Sequence, residues 1–163
     1  MVTESVRPAL RSDSATWAAQ VDGWWAGLAE QRGGRALGAE LAGGRPGDVQ
    51  RLRALDALLV APDACALVGL LDDVLCAVGV ATWSTAPDGL RGRVELCYVE
   101  PAARGVGVGS ALLEGLVAGL VAADCTSVDA WALPGDRAAK NHFERHGFRA
   151  RLLTMHREVR PDV

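Results

Sequence analysis

Apolar residues recur at helical spacing in three stretches of the chain, and each stretch predicts a helix with a buried face. The first follows possible caps at residues 12–14, and the second begins near Pro46 and Asp48. The third begins near Gly109 and has a wide apolar face. The apolar positions are Trp17, Val21, Trp24, Trp25 and Leu28 in the first, Val49, Leu52, Leu55 and Leu59 in the second, and Val108, Leu112, Leu116 and Leu120 in the third.

Runs rich in β-branched and apolar residues predict the strands. Asp72 and Asp73 separate two such runs and predict an antiparallel hairpin with a two-residue turn. The run after this turn is apolar on both faces, which indicates a sheet that is covered by helices on both sides. The predicted strands are residues 6–10, 65–71, 74–84, 94–99, 127–133 and 150–159.

A fourth helix is predicted over residues 137–146, between Asp136 as its N-cap and Gly147 as its C-cap. The elements then follow the order β-α-α-β-β-β-α-β-α-β, which predicts an α/β protein with one domain over residues 1–163. Residues 31–47 are rich in glycine and contain one possible helical turn at 36–41. This segment is either a lid beside a binding site or a plain surface connection.

A glycine loop joins the strand 94–99 to the third helix. Gly105, Gly107 and Gly109 let a ligand approach the backbone, and a helix start offers unpaired N–H groups that suit an anion such as a pyrophosphate. The loop does not fit a Rossmann motif, because Ser110 stands where the third glycine belongs, and no Gly-Lys-Ser/Thr follows to make a P-loop. A tight turn without a ligand stays open from the loop alone.

Two motifs together resemble the GNAT superfamily of acyl-CoA-dependent N-acyltransferases. Residues 104–109 read Arg-Gly-Val-Gly-Val-Gly, which is similar to the family's Arg/Gln-x-x-Gly-x-Gly/Ala, and residues 98–101 look like its strand end. Residues 136–148 resemble its second motif, Asn-x-x-Ala-x-x-x-Tyr-x-x-x-Gly-Phe. The resemblance is close in the second half of the chain. It implies a GNAT-like fold with a central mixed sheet and helices on both faces.

The resemblance also implies where acetyl-CoA would bind. Backbone N–H groups of the glycine loop would hold the pyrophosphate, and Arg104 would brace the turn or a phosphate. The strand end would pair with the pantetheine arm, with the Val99 N–H facing the thioester oxygen. The implied cofactor-binding residues are Cys97, Tyr98, Val99, Arg104, Gly105, Val106, Gly107, Val108, Gly109, Ser110, Asp136 and Phe143.

The catalytic side chains depart from the family's pattern. Phe143 stands where the family has a tyrosine that protonates the thiolate, and Asp136 replaces an asparagine. Tyr98, His142 or solvent could replace the missing acid. Glu95 is the predicted general base, because four residues along a regular strand it shares a face with Val99. A structural or exposed Glu95 is the open alternative.

The predicted function is transfer of an acetyl group from acetyl-CoA to a primary amine of a small molecule or protein, by direct attack in a ternary complex. The alternatives are a catalytically silent CoA-binding module and an acyltransferase for a larger acyl-CoA. The tryptophans of the first helix are predicted as core residues, and the sharper alternative is that one of them lines the acceptor pocket.

The composition of the chain limits which partners and metals the sequence predicts. A net charge of −3 gives no basic surface for nucleic acid, and no run of about 20 apolar residues predicts a membrane span. The four cysteines lack metal-ligand spacing, and no signal peptide is evident, so reduced thiols in a cytoplasmic protein are expected. His142 and His146 lie four residues apart without a third ligand, so no metal is predicted. A homodimer is possible.

Overall fold

The computed structural model describes residues 3–31, 34, 48–153 and 155. Within them, five strands form one sheet whose spatial order follows the chain. The first four strands are antiparallel to their neighbours, and the fifth is parallel to the fourth. The strands are β1 (Glu4–Pro8), β2 (Ala64–Leu71), β3 (Val74–Ala86), β4 (Gly89–Val99) and β5 (Cys125–Ala130).

Helices cover both faces of this mixed sheet, which confirms the predicted α/β class. The second predicted helix is interrupted, because Ala54 adopts φ −81° and ψ 73° and divides it into two short helices. Each of α1 and α4 has 15 residues. The helices are α1 (Ser14–Leu28), α2 (Asp48–Arg53), α3 (Leu55–Leu58), α4 (Val108–Ala122) and α5 (Arg137–Arg145), with 3-10 turns at Arg11–Asp13 and Pro101–Ala103.

The hairpin between β2 and β3 turns at the predicted residues. Asp72 and Asp73 have φ of 46° and 65°, and this pair of left-handed residues matches the twist of the strands that it joins. Asp72 Oδ1 also accepts a hydrogen bond from the Thr3 N–H at 3.0 Å, which ties the turn to the start of β1.

Four predicted strands differ from the structure. The strand predicted over 6–10 is Glu4–Pro8, and the strand predicted over 94–99 begins five residues earlier, at Gly89. The strand predicted over 127–133 is Cys125–Ala130, so pairing begins earlier and stops before Trp131. Of the strand predicted over 150–159, residues 150–153 and 155 are not in a strand, and the rest lies outside the described residues. The possible helical turn at 36–41 also lies outside them.

The sheet separates two apolar cores. On one face, called the α1 face, α1, α2 and α3 pack against the sheet; on the other, called the α4 face, α4 and α5 do so. Gly115 and Gly119 bring α4 close to β2. A Cβ on Gly115 would lie 3.0 Å from Leu67 Cδ1, and a Cβ on Gly119 would lie 3.1 Å from Cys65 Sγ. Residues four apart lie on one face of a helix, so both glycines meet the same strand.

We predict that Gly92→Ala lowers the free energy of unfolding by about 1–3 kcal/mol. The added Cβ would lie 2.7 and 2.8 Å from the two methyl groups of Leu120, which is fully buried and therefore cannot turn away. Gly27→Ala in α1 is the matched control, because its Cβ would meet nothing within 4 Å. It should stabilise by up to about 1 kcal/mol. Urea unfolding of both variants measures the difference, and equal values would contradict the packing at Gly92.

Candidate acyl-transfer site

A β-bulge in β4 sets the geometry of the site. Val80 pairs with Leu96 while the next residue of β3, Ala81, pairs with Val94, so Glu95 is an extra residue in β4. The alternation of side chains therefore shifts by one at this point. Val94 packs in the core of the α4 face, and in a regular strand Leu96 would face the same way. Instead Leu96 packs on the α1 face, and Cys97 is the next residue on the α4 face.

β4 and β5 part directly after the bulge. Their pairing ends at Val94 and Ala130, whereas β4 continues along β3 to Val99. The edge of β4 over residues 95–99, called the open edge, has no strand of the described residues beside it. A strand edge without a neighbour presents N–H and C=O groups that an extended ligand can pair with.

Particular backbone groups point into this gap. The Glu100 N–H donates to the Cys76 C=O at 2.9 Å, on the β3 side. Successive residues of a strand direct their hydrogen-bonding groups to opposite edges, so those of Val99 and Cys97 point to the open edge. The Val99 C=O accepts a hydrogen bond from Arg104 Nε at 3.0 Å. The Val99 N–H lies where the resemblance requires a donor.

The glycine loop is a cradle of donors at the start of α4. Gly105 and Gly107 have φ of 86° and 102°, and residues 104–107 are exposed. Among the described residues, no acceptor is recorded for the backbone N–H groups of 105–109, whereas the Ser110 N–H donates to the Gly107 C=O at 2.9 Å. Five of the six predicted pyrophosphate donors therefore have no backbone acceptor in the described part of the chain, as the first N–H groups of a helix do, and Ser110 is occupied within the turn.

One carboxylate borders this cradle. Glu4 Oε1 lies 3.3 Å from the position that a Cβ on Gly107 would take. Glu4 is exposed at the start of β1, so its side chain can turn to solvent when an anion arrives.

Arg104 braces the turn, as one of its two predicted roles requires. Besides its hydrogen bond to Val99, its guanidinium lies 5.9 Å from the centre of the Tyr98 ring. Burial raises the pKa of the Tyr98 hydroxyl, the charge of Arg104 opposes this rise, and Glu100 adds to it. The phenol is therefore protonated at neutral pH.

The second motif forms α5 and packs beside the cradle. Asp136 Oδ1 accepts the Ala139 N–H at 3.0 Å, which confirms the predicted N-cap and occupies that carboxylate. Phe143 lies 5.4 Å from Phe148, ring centre to ring centre, in the core of the α4 face. It therefore packs near the cradle but has no proton to give.

His142 lies against the other side of the cradle. The position of a Cβ on Gly109 would be 3.8 Å from His142 Cε1. The ring centres of His142 and His146 are 4.7 Å apart. Burial lowers the pKa of His142, and the neighbouring His146 lowers it further, while a hydrogen bond to the Gly109 backbone opposes them. The imidazole is therefore neutral at neutral pH.

Glu95 lies on the α1 face, so the expectation that it shares the face of Val99 is wrong. Its Oε1 accepts a hydrogen bond from Thr82 Oγ1 at 2.9 Å, and its Oε2 is 3.6 Å from Arg93 Nε. Thr82 pairs with Arg93, next to Val94 of the opposite face. The bulge is the reason, because one extra residue in β4 places the side chains of Glu95 and Val99 on opposite faces of the sheet.

The site thus combines an exposed N–H cradle, an open strand edge and a carboxylate at the bulge, at the end of that edge farther along the chain from the cradle. The model of the acetyltransferase (GNAT) family matches residues 42–148, about two thirds of the chain. The match covers the cradle, the open edge and Glu95, and it leaves out β1 and α1. The chain belongs to the acetyltransferase (GNAT) family.

Solved structures share the fold of this GNAT chain. A predicted acetyltransferase from Clostridium acetobutylicum with acetyl-CoA is 14% identical, with a TM-score of 0.70 over 94% of this chain and 96% of that one. An aminoglycoside N-acetyltransferase in complex with CoA is also 14% identical, with a TM-score of 0.70 over 98% and 97%. A transcriptional regulator from Bacillus halodurans is 20% identical, with a TM-score of 0.67 over 94% and 99%. A comparison with curated protein sequences finds no match.

Over the described ranges, no three His, Cys, Asp or Glu side chains come together in a way that could hold a metal ion. No helix in that part of the chain has the length and apolar character needed to cross a membrane.

The sequence pattern missed two features of this GNAT site. The bulge depends on how β3 and β4 pair, and the spacing within β4 gives no sign of it. Trp131 was absorbed into a predicted strand, yet it follows β5 and lies 6.1 Å from Trp24, ring centre to ring centre. A large aromatic residue two positions before Leu133-Pro134 was the available signal.

We predict that Gly107→Ala weakens CoA binding about tenfold or more, because φ of 102° strains any side chain and reorients the N–H groups of the cradle. Gly147→Ala is the matched control: its φ is 84°, its Cβ would meet nothing within 4 Å, and it directly follows His146, which is the C-cap of α5 in place of the predicted Gly147. Both variants should lose similar stability, but only the first should lose affinity in titration calorimetry. Equal CoA affinities would contradict the assignment of the cradle.

Proposed function

We propose that this chain is an acetyl-CoA-dependent N-acetyltransferase that acts on a primary amine by direct attack in a ternary complex. The observation that carries the proposal is the open edge of β4 beside the N–H cradle of α4. Together they offer one extended ligand both backbone pairing and an anion site. The neighbours with acetyl-CoA or CoA bound support the same ligand for this fold.

When bound, acetyl-CoA would supply a thioester as the activated acyl group. The N–H groups of residues 105–109 would hold its diphosphate, and the backbone of Cys97 and Val99 would pair with its extended arm. A Val99 N–H directed at the carbonyl oxygen would stabilise the negative charge that develops there during attack. Arg104 keeps this strand end in place through the Val99 C=O.

Glu95 is the proposed general base. Its carboxylate has 15% of its surface exposed and lies at the bulge, on the face from which α1 approaches the gap. Thr82 and Arg93 orient it, and it would take the proton of the attacking amine through water. Placement on the α1 face suits this role, because the amine then enters opposite the helix that holds the cofactor.

The departing thiolate needs little assistance. A thiol has an unperturbed pKa of about 8.5, so protonation by solvent near neutral pH suffices. Tyr98, whose raised pKa keeps its hydroxyl protonated, can donate a hydrogen bond at the strand end. Phe143 cannot, and neutral His142 is a poor acid.

We predict that acetyl-CoA releases free thiol in the presence of an amine from a panel of primary amines, and that Glu95→Gln lowers kcat/KM about a hundredfold or more. The neutral amide cannot accept the amine's proton. CoA affinity should be unchanged, since Glu95 lies away from the cradle. Thr82→Val is the control for a purely orienting partner and should cost less. Unchanged turnover in Glu95→Gln would show that the base lies elsewhere.

We predict that no acetyl-enzyme forms. Burial raises the pKa of the Cys97 thiol, which is the thiol on the strand end, to about 12, so it is not a thiolate at neutral pH and cannot attack the thioester. Intact-protein mass spectrometry after mixing with acetyl-CoA alone should show no acetyl adduct. Initial-rate plots should intersect, as a ternary complex requires, and parallel lines would indicate a covalent intermediate.

A catalytically silent CoA-binding module is the second candidate, and Phe143 in place of the family's tyrosine favours it. Calorimetry with CoA and the thiol assay separate the two. Binding without turnover over the whole amine panel would support the silent module.

A further inference from the structure

Three half-exposed tryptophans meet beside the gap between β4 and β5. Trp24 lies 6.0 Å from Trp25 and 6.1 Å from Trp131 between ring centres, with interplanar angles of 46° and 62°. Trp24 and Trp25 come from the second half of α1, and Trp131 directly follows β5 where its pairing has ended. These three residues are called the indole cluster.

Trp24 packs against the core of the α1 face from its edge, whereas Trp17 lies inside that core. Trp17 has no exposed surface, and its Nε1–H donates to the Leu52 C=O at 2.7 Å. The three rings of the cluster keep part of their surface exposed. The Nε1 of Trp131 is buried, yet it has no acceptor among the described residues, which costs free energy unless a further group pairs with it.

The cluster lies on the acceptor side of the proposed reaction. Asp129 of β5 pairs with Arg93, which is on the α1 face. Trp131 lies two residues after Asp129, just beyond the end of β5. Tyr98 of the same face reaches α1 at Gly23, where an added Cβ would lie 2.9 Å from the phenol oxygen. The rings therefore border the gap from the face that carries Glu95, opposite α4.

The charges that β4 and β5 direct to this face favour an acceptor with one ammonium group over an acceptor with several. The two carboxylates that β4 and β5 direct to it are Glu95 and Asp129, and each lies beside an arginine, at 3.6 Å from Arg93 and 3.7 Å from Arg151. A polyamine or an aminoglycoside needs several free carboxylates to replace the water around its ammonium groups. An aromatic ring needs only edges and faces of other rings.

We infer that the acceptor is a primary amine joined to an aromatic ring by a short alkyl chain, whose ring packs against the indole cluster while its amine reaches the open edge of β4. This inference rests on the proposed acetyltransferase function and names its substrate class. The step is the ordinary one: the amine nitrogen bonds to the acyl carbon, the carbon–sulfur bond breaks, Glu95 receives the amine's proton, and the sulfur leaves as a thiolate.

The test compares three amines in the thiol assay: 2-phenylethylamine, its saturated analogue 2-cyclohexylethylamine, and spermidine. We expect kcat/KM for 2-phenylethylamine to exceed that for the saturated analogue by about three- to tenfold, and that for spermidine by more. Trp24→Leu should remove this preference mainly through KM, and Trp24→Phe should retain most of it. Trp83→Leu, a half-buried tryptophan on the opposite face of the sheet, is the matched control and should keep it.

A binding measurement separates the two ways of failing. With CoA present in saturating amount, 2-phenylethylamine should change the indole fluorescence of the wild type, and Trp24→Leu should bind it about tenfold more weakly. Such binding without turnover would overturn the proposed activity and support the acceptor class. Turnover with spermidine as the best amine, or an unchanged preference in Trp24→Leu that still binds CoA, would overturn the acceptor class alone.

Discussion

The hydrogen bonds that β4 cannot make are the constraint on which the site depends. A strand inside a sheet uses its backbone groups on both edges, but after Val94 the neighbouring strand leaves while β3 continues to hold β4 in an extended form. The donors and acceptors of Cys97 and Val99 are thus fixed in direction, and no strand of the described residues pairs with them, although the Val99 C=O accepts Arg104 Nε. An extended ligand with amide groups can complete the sheet at the point where a fold would otherwise carry an edge.

The other parts of the site follow from the need to keep that gap open and to place a helix start at its mouth. The bulge at Glu95 increases the twist of β4 and turns it away from β5. Small residues let α4 lie close to the sheet, as Gly115 and Gly119 show against β2. The N-terminus of α4 then lies beside Val99, and Gly109 contacts that side chain directly, since a Cβ there would be 3.2 Å from its Cγ2.

Features that local chemistry determines could be predicted from the sequence. Asp72-Asp73 forms a hairpin turn, Asp136 caps α5, and the glycines after Arg104 open α4, because each depends on the residue itself and its nearest neighbours. Features set by pairing between distant segments could not be predicted. The bulge places Glu95 on the α1 face, and the contact of Trp24 with Trp131 joins residues more than a hundred positions apart. The break at Ala54 could not be predicted either, because alanine and its neighbours favour a helix and only packing with distant segments can interrupt it.

The distribution of chemistry between backbone and side chains explains why the substitution at Phe143 is tolerable. In the proposed reaction, main-chain groups would meet the diphosphate, the extended arm and the thioester oxygen, and their chemistry does not depend on the residue that carries them. A side chain would be required only to remove a proton from the acceptor amine, and Thr82 and Arg93 hold Glu95, the proposed base, in a fixed orientation. The thiolate leaves as a weak base, so a fixed acid adds little at its side of the gap. Selection among acceptors then depends on the α1 face, where the described residues offer aromatic rings and carboxylates that are paired with arginines.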